Sequence, residues 1–175
     1  MLRENPDVLR FQVTDLIGHP GLSRPVGGEF HLQLKVGETV VDDVAVVLAR
    51  LEAILEGIFA RGTAATVAHH QCARCLVEWD SPVEVDFNEL FINASNQKLA
   101  EEDQSQVTRE GFVDLGTLVH DEISLSLVRD PLCRPDCLGL CPTCGADLNM
   151  SPCAGHDDQS SSPFAALKQL FGSET

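Results

Sequence analysis

The chain has 175 residues, 43% of them hydrophobic and 22% charged, and it sets 12 lysines and arginines against 27 aspartates and glutamates for a net charge of −15. That apolar content excludes an intrinsically unfolded chain, and the sign of the charge disfavours nucleic-acid binding by bulk electrostatics while favouring basic protein partners. The longest apolar run, Val44 to Ala49, falls far short of the roughly 20 residues of a membrane-spanning helix, and the opening MLRENPDVLR has no apolar signal core. A soluble, cytoplasmic protein without membrane contact is therefore expected.

The first part of the chain reads mostly as β-structure. Apolar and polar residues alternate in Leu9 to Val13, in Phe30 to Val36 and, after an expected turn at Asp80-Ser81-Pro82, in Val83 to Phe87. Half-buried antiparallel strands follow from that period. Residues 44–61 are ambiguous: Val44, Val47, Leu48, Leu51, Leu55 and Ile58 make a helical stripe, whereas Gly57 and Gly62 would divide the region into strands joined by turns. From Ala94 to Gly111 the chain is polar and acidic with no period, which predicts a mobile, solvated loop. Asp114 then caps an expected helix with Leu115, Leu118, Val119, Ile123 and Leu127 on one face, ending before Pro131. At the C-terminus, 157–162 reads as a spacer. Ser162 and Pro163 open a short helix with Phe164, Leu167 and Phe171 on one side, which must dock to be stable and is expected to do so on its own domain.

Seven cysteines are many for a reducing compartment, where metal binding or thiol chemistry outweighs disulfides. Cys72-Ala73-Arg74-Cys75 sits between two strand-like stretches, and a C-x2-C turn at a hairpin tip supplies half the ligands of a tetrahedral zinc site. CRPDCLGLCPTCG packs Cys133, Cys137, Cys141 and Cys144 together, and its CPTCG end has the form of a zinc knuckle in which glycine lets backbone amides approach sulfur. Cys153 and His156 add a thiol and an imidazole at the same spacing. Eight candidate ligands allow two partitions, beside a metal-free reading, and Cys153 and His156, next to a polar tail, could also stand unused. One has two zinc ions, held by Cys72, Cys75, Cys133 and Cys137 and by Cys141, Cys144, Cys153 and His156. The other has a single ribbon-type zinc on Cys72, Cys75, Cys141 and Cys144. His69 and His70 read as ordinary surface or packing residues, Asp136 and Asp147 as turn residues, and Trp79 as core. A dithiol oxidoreductase is the main enzymatic alternative, but such a pair usually opens a helix in a βαβ unit, and neither pair here has that context. No phosphate loop, serine elbow or carboxylate pair is visible, so catalysis and a small-molecule substrate are not expected.

The segments QCARCL, DLGTLVHDEISLSL and PLCRPDCLGLCPTCGADLN together resemble the YceD family, the large ribosomal RNA subunit accumulation proteins of bacteria and plastids. The resemblance runs over about residues 8–153 and is far more specific than any one cysteine pair; His156 lies outside the motif. It implies strands around Gly57 and a role in accumulation of large-subunit ribosomal RNA, hence in ribosome assembly. In many bacteria of that family the gene accompanies that of the large-subunit protein L32. The expected fold is α+β: mainly an antiparallel β-sheet or partly open barrel, with one packed helix and a C-terminal zinc-knuckle segment. In domain terms, 1–130 forms the β-rich part, with a helix near 115–128 and the acidic loop 94–111; 131–156 is a cysteine-rich segment packed on it; and 157–175 is a flexible tail with a helix at 163–171. The expected function is that of a non-enzymatic assembly factor binding a basic ribosomal protein, L32 first, or a pre-ribosomal particle. Direct zinc-dependent RNA contact is the second reading, weakened by a cysteine segment whose one base besides histidine is Arg134.

Overall fold

In a computed structural model the structure describes residues 9–93, 106–107, 111–153 and 155–156. The elements in chain order are β1 (Arg10–Gln12), β2 (Ser23–His31), β3 (Lys35–Val36), β4 (Thr39–Val41), β5 (Val44–Ala53), β6 (Gly57–Gln71), β7 (Glu78–Asn93), β8 (Gln106–Val107), β9 (Phe112–Asp114) and helix α1 (Gly116–Ser126). The long strand β6 organises the main sheet. On one side it pairs with β7 from Gly57↔Ile92 to Gln71↔Glu78, and on the other with β5 and then, further along, with β4. Strand β2 lies outside β5 and β3 outside β4, all antiparallel, and the sheet stays open rather than closing into a barrel. A separate two-stranded sheet joins β1 to β9.

The ambiguous stretch 44–61 is strand. Its apolar residues satisfy two patterns at once, and cross-strand pairing selects period two: Ala45, Val47, Leu51 and Ala53 face inward, while Val46 and Leu48 stand exposed. Gly57 begins β6 after a tight connection in which the Ile54 amide donates to Gly57 O. Gly62 marks no turn. It lies inside β6, where an added Cβ would press on the Leu48 carbonyl and come within 2.7 Å of Ala49 Cβ, so glycine there permits close strand approach. Nor do Asp80-Ser81-Pro82 turn the chain. They lie within β7, and Pro82 is tolerated because β7 is paired on one side only over that stretch among the described residues. The alternation from Phe30 to Val36 is likewise broken, with β2 ending at His31.

The buried face of the sheet is lined along β6 by Ala60, Ala64 and Ala68, all fully buried. Val113, Leu115, Val119 and Ile123, each fully buried, come from β9, the connection and α1 and share one core with Ala60 and Ala64 and with Val85, Phe87 and Phe91 of β7. Leu118 and Leu127 pack at the margin, so the whole expected helical stripe is used. The helix starts one residue later than Asp114 would place it as a cap, with Leu115 at the N-cap position. Asp114 nevertheless accepts the Gly116 amide at 2.9 Å. Within the expected loop 94–111, Gln106 and Val107 form β8 and pair parallel with Ile92 and Asn93. Residues 94–105 and 108–110, the tail from 157 and its expected helix at 163–171 lie outside the described residues.

Candidate metal centres

The β6–β7 hairpin carries Cys72 to Val77 at its tip. Cys72 N donates to Val77 O at 2.9 Å and Leu76 N to Cys72 O at 3.0 Å, which turns both thiols of the C-x2-C pair to one side. The second knuckle repeats this bonding. Cys141 N donates to Ala146 O at 2.8 Å and Gly145 N to Cys141 O at 2.9 Å, closed by a bridge between Leu140 and Asp147. The residue after the second cysteine has positive φ in both, 62° at Leu76 and 73° at Gly145.

Leaving α1, the chain runs back to the hairpin tip, where Ala73 N donates to Pro131 O at 2.9 Å and Leu140 N to Arg74 O at 3.0 Å. The Arg74 guanidinium donates to Cys137 O at 2.8 Å. These bonds bring Cys133 and Cys137 against the first knuckle, so that Cys72, Cys75, Cys133 and Cys137 form one group whose ligand atoms lie within 4.8 Å of one another. Cys72 Sγ stands 3.8 Å from Cys137 Sγ, and Cys75 Sγ 3.5 Å from Cys133 Sγ. A tetrahedron with zinc–sulfur arms of about 2.3 Å has edges of about 3.8 Å, so the spacing suits a tetrahedral thiophilic ion. Leu132, Leu140 and Trp79 pack around this group. Trp79 is thus a half-buried wall of the cysteine cluster, stacked on His70 with ring centres 5.1 Å apart, and no part of the main core.

Cys141, Cys144, Cys153 and His156 form the second group. Cys144 Sγ lies 3.7 Å from Cys153 Sγ, which lies 2.9 Å from His156 Nε2. The ribbon-type set is divided by the fold, with Cys72 and Cys75 in one group and Cys141 and Cys144 in the other. Both groups could hold a metal ion, one with four sulfurs and one with three sulfurs and a nitrogen.

Protonation follows the same duplication. At Cys72 burial opposes ionisation, but hydrogen bonding from the backbones of Cys133, Cys75 and Arg74 prevails and draws the thiol down to about 6. The backbones of Cys144 and Thr143 do the same for Cys141, also to about 6, against burial. Their neighbours carry the opposite burden: lost hydration of the sulfur within the cluster, with the crowding of Cys75, Cys137 and Cys72, pushes Cys133 up to about 12 although the residue lies at the surface. In each group one thiol is drawn down while another, Cys133 in the first and Cys153 in the second, is pushed up, a conflict that a divalent cation removes.

Asp147 is a turn residue, accepting the Asn149 backbone amide at 2.9 Å, and Asp136 pairs with Arg134 at 3.6 Å. His70 bonds Thr39 Oγ1 and Ser81 Oγ, a packing role, and His69 bridges Asp42 and Asp80. The residues that sequence reasoning passed over are Arg74 and Asn149. Both lie inside the segments that carry the family resemblance, but neither type is a metal ligand, so nothing in the spacing gave them a role. Among the described residues no helix is long and apolar enough to cross a membrane.

Among the described residues, an open, mainly antiparallel sheet with one helix, carrying paired cysteine knuckles at the end of its longest hairpin, defines a protein built around two candidate metal centres. The family model described as large ribosomal RNA subunit accumulation protein YceD matches residues 60–171, and the chain belongs to that family. It is 32% identical to an uncharacterized protein of Mycobacterium tuberculosis over 163 residues, 89% of this chain and 78% of that one, and a Mycobacterium bovis protein matches equally. Over 59 residues, 34% of this chain and 20% of the other, it is 39% identical to a Zea mays protein named large ribosomal RNA subunit accumulation protein YCED homolog 1, chloroplastic. No solved structure matches.

Proposed function

We propose that this chain is a non-enzymatic, cytoplasmic factor of large-subunit assembly that holds a basic ribosomal protein on an acidic surface, with L32 the first candidate. The observation that carries the reading is the disposition of the charge. Glu78, Asp80, Glu84 and Asp86 alternate along the exposed side of β7, at an edge of the main sheet, in a chain whose net charge is −15. Ribosomal proteins free of RNA expose positive charge, and a field of opposite sign speeds their capture and shields them from wrong partners. Ribosomal RNA has the higher charge density and takes the cargo over. In this reading each cysteine group binds one zinc ion, because four thiolates, or three thiolates with one imidazole, form the borderline-soft donor set that suits tetrahedral zinc. The metal fixes the C-terminal segment to the sheet and performs no reaction.

Direct RNA contact through the cysteine segment is less well supported, since its one arginine already bonds Asn149 Oδ1 at 2.7 Å and Asp136. The test is binding of purified L32 and other large-subunit proteins to the full chain at low and high salt. Expected are a complex that weakens steeply with salt and a further loss with Glu84→Lys and Asp86→Lys. Recovery of no large-subunit protein at low salt would overturn the proposal.

A further inference from the structure

Asn149 lies between two members of the second cysteine group, Cys144 and Cys153, yet its side chain serves the first group. Nδ2 points to Cys137 Sγ at 3.6 Å and donates to Asp147 Oδ1 at 2.8 Å. Oδ1 accepts from Leu138 N at 2.8 Å and from Arg134 Nη2 at 2.7 Å. The amide is thus held on both of its atoms, with its N–H aimed at a sulfur. Leu148 N also donates to Gly139 O at 3.0 Å, so the loop bearing Asn149 rests on the short link between Cys137 and Cys141.

We propose that Asn149 is a positioning residue that makes the two cysteine groups load metal together, each ion raising the affinity of the other site. The inference rests on the reading that both groups bind zinc. An ion on Cys141, Cys144, Cys153 and His156 fixes the loop 141–156 and with it the Asn149 amide. That amide then stabilises the Cys137 thiolate, as outer hydrogen bonds to metal ligands commonly do. In the other direction, an ion on Cys72, Cys75, Cys133 and Cys137 fixes the stretch 133–138, whose Arg134 and Leu138 donors hold Asn149 Oδ1. The coupling is a free energy shared between two binding sites and is therefore reciprocal. Its functional consequence is that a chain with one ion is a minor species, so the C-terminal segment is either docked at both centres or released from both.

The experiment is a titration of the metal-free full chain with zinc by native mass spectrometry, and with cobalt by absorption, where a four-sulfur site and a three-sulfur, one-nitrogen site have different bands. The wild type should pass from no metal to two with a one-metal population well below that of independent sites. Asn149→Asp keeps the acceptor for Leu138 N and Arg134 but loses the N–H donors to the Cys137 sulfur and to Asp147. It should weaken the four-sulfur site about tenfold and let one-metal chains accumulate. Asn149→Ala should do the same, which separates loss of the N–H from the added charge. Removing the second site with Cys153→Ser and His156→Ala should weaken the first about tenfold with Asn149 present and much less in the Asn149→Asp background. Unchanged affinity in both Asn149 variants, or two ions that bind independently in the wild type, would overturn the coupling and leave the metal reading standing. A chain that takes up no metal would overturn both.

Discussion

Leu76 holds in the first knuckle the place that Gly145 holds in the second. Each follows the second cysteine of its pair, each has positive φ, and each donates its amide to the carbonyl of the first cysteine, at 3.0 Å for Leu76 and 2.9 Å for Gly145. Glycine adopts that conformation freely, whereas a leucine pays steric strain of about 1–2 kcal/mol through its Cβ. Since the Leu76 side chain is 55% exposed, little packing is lost on its removal. Leu76→Gly is expected to raise stability by about 0.5–1 kcal/mol after the extra backbone entropy of glycine, and Leu76→Val to lower it. Denaturant midpoints of the three chains under identical metal conditions check this.

Arg74 ties the hairpin tip to the C-terminal segment through its guanidinium on Cys137 O, at 2.8 Å, and its own carbonyl on Leu140 N. Arg74→Ala removes only the first of these bonds. A loss of about 1 kcal/mol is expected, with faster extraction of metal by a chelator, while Arg74→Lys should recover part of it. Competition against a coloured chelator follows both effects.

His69 of β6 reaches Asp42, after β4, and Asp80 of β7: the protonated ring donates from Nε2 to Asp42 Oδ1 at 2.8 Å and from Nδ1 to Asp80 Oδ1 at 2.7 Å. The hydrogen bond to Asp42, then that to Asp80, hold its pKa above the ordinary 6.5. A raised folded pKa favours the protonated form, so the stabilisation is fully present below 6.5 and is lost as pH rises through the folded value. Nuclear magnetic resonance titration should place the His69 midpoint above 6.5, and Asp42→Asn and Asp80→Asn should each bring it back toward that value. The stability difference between Asp80→Asn and the wild type should shrink as pH is raised.

Metal removal should release the C-terminal segment and spare the sheet. The main core and the cluster of Cys72, Cys75 and Cys137 are separate packing units, and Trp79 belongs to the second. Chelation is expected to shift Trp79 emission toward that of a solvated indole, with far-ultraviolet dichroism keeping its strand signal. Loss of both signals together would show instead that the sheet depends on the metal.

Gly62 tests how closely β5 and β6 must approach. An added Cβ meets the Leu48 carbonyl and Ala49 Cβ, so Gly62→Ala should cost about 1–3 kcal/mol although alanine suits a strand better than glycine. A denaturant midpoint equal to that of the wild type would show that the two strands separate at little cost.

The amino-acid sequence by itself determined the chemistry of the knuckles and the face of α1, because both are local. A C-x2-C pair needs only a turn to converge, and Leu115, Val119 and Ile123 recur at the helical period wherever the helix packs. It also determined the eight candidate ligands, since the thiols and the imidazole recur at the C-x2-C and C-x2-H spacings of a metal knuckle. It left open whether 44–61 was helix or strand, and only pairing with β2 and β6 decides that, because Val47, Leu51 and Leu55 satisfy both periods. It could not recognise Gly62 or Pro82 as residues within strands. A glycine or proline signals a turn unless a neighbouring strand, or the lack of one, gives it another use. The partition of the ligands was likewise a tertiary matter. Cys72 and Cys133 are 61 residues apart in sequence, and Cys72 and Cys141 are 69 apart; what joins Cys72 to Cys133 and Cys137 is the return of the chain after α1, fixed by hydrogen bonds from Ala73 to Pro131 and from Arg74 to Cys137. Asn149 gains its role for the same reason: it stands beside Cys137 only after both knuckles have folded.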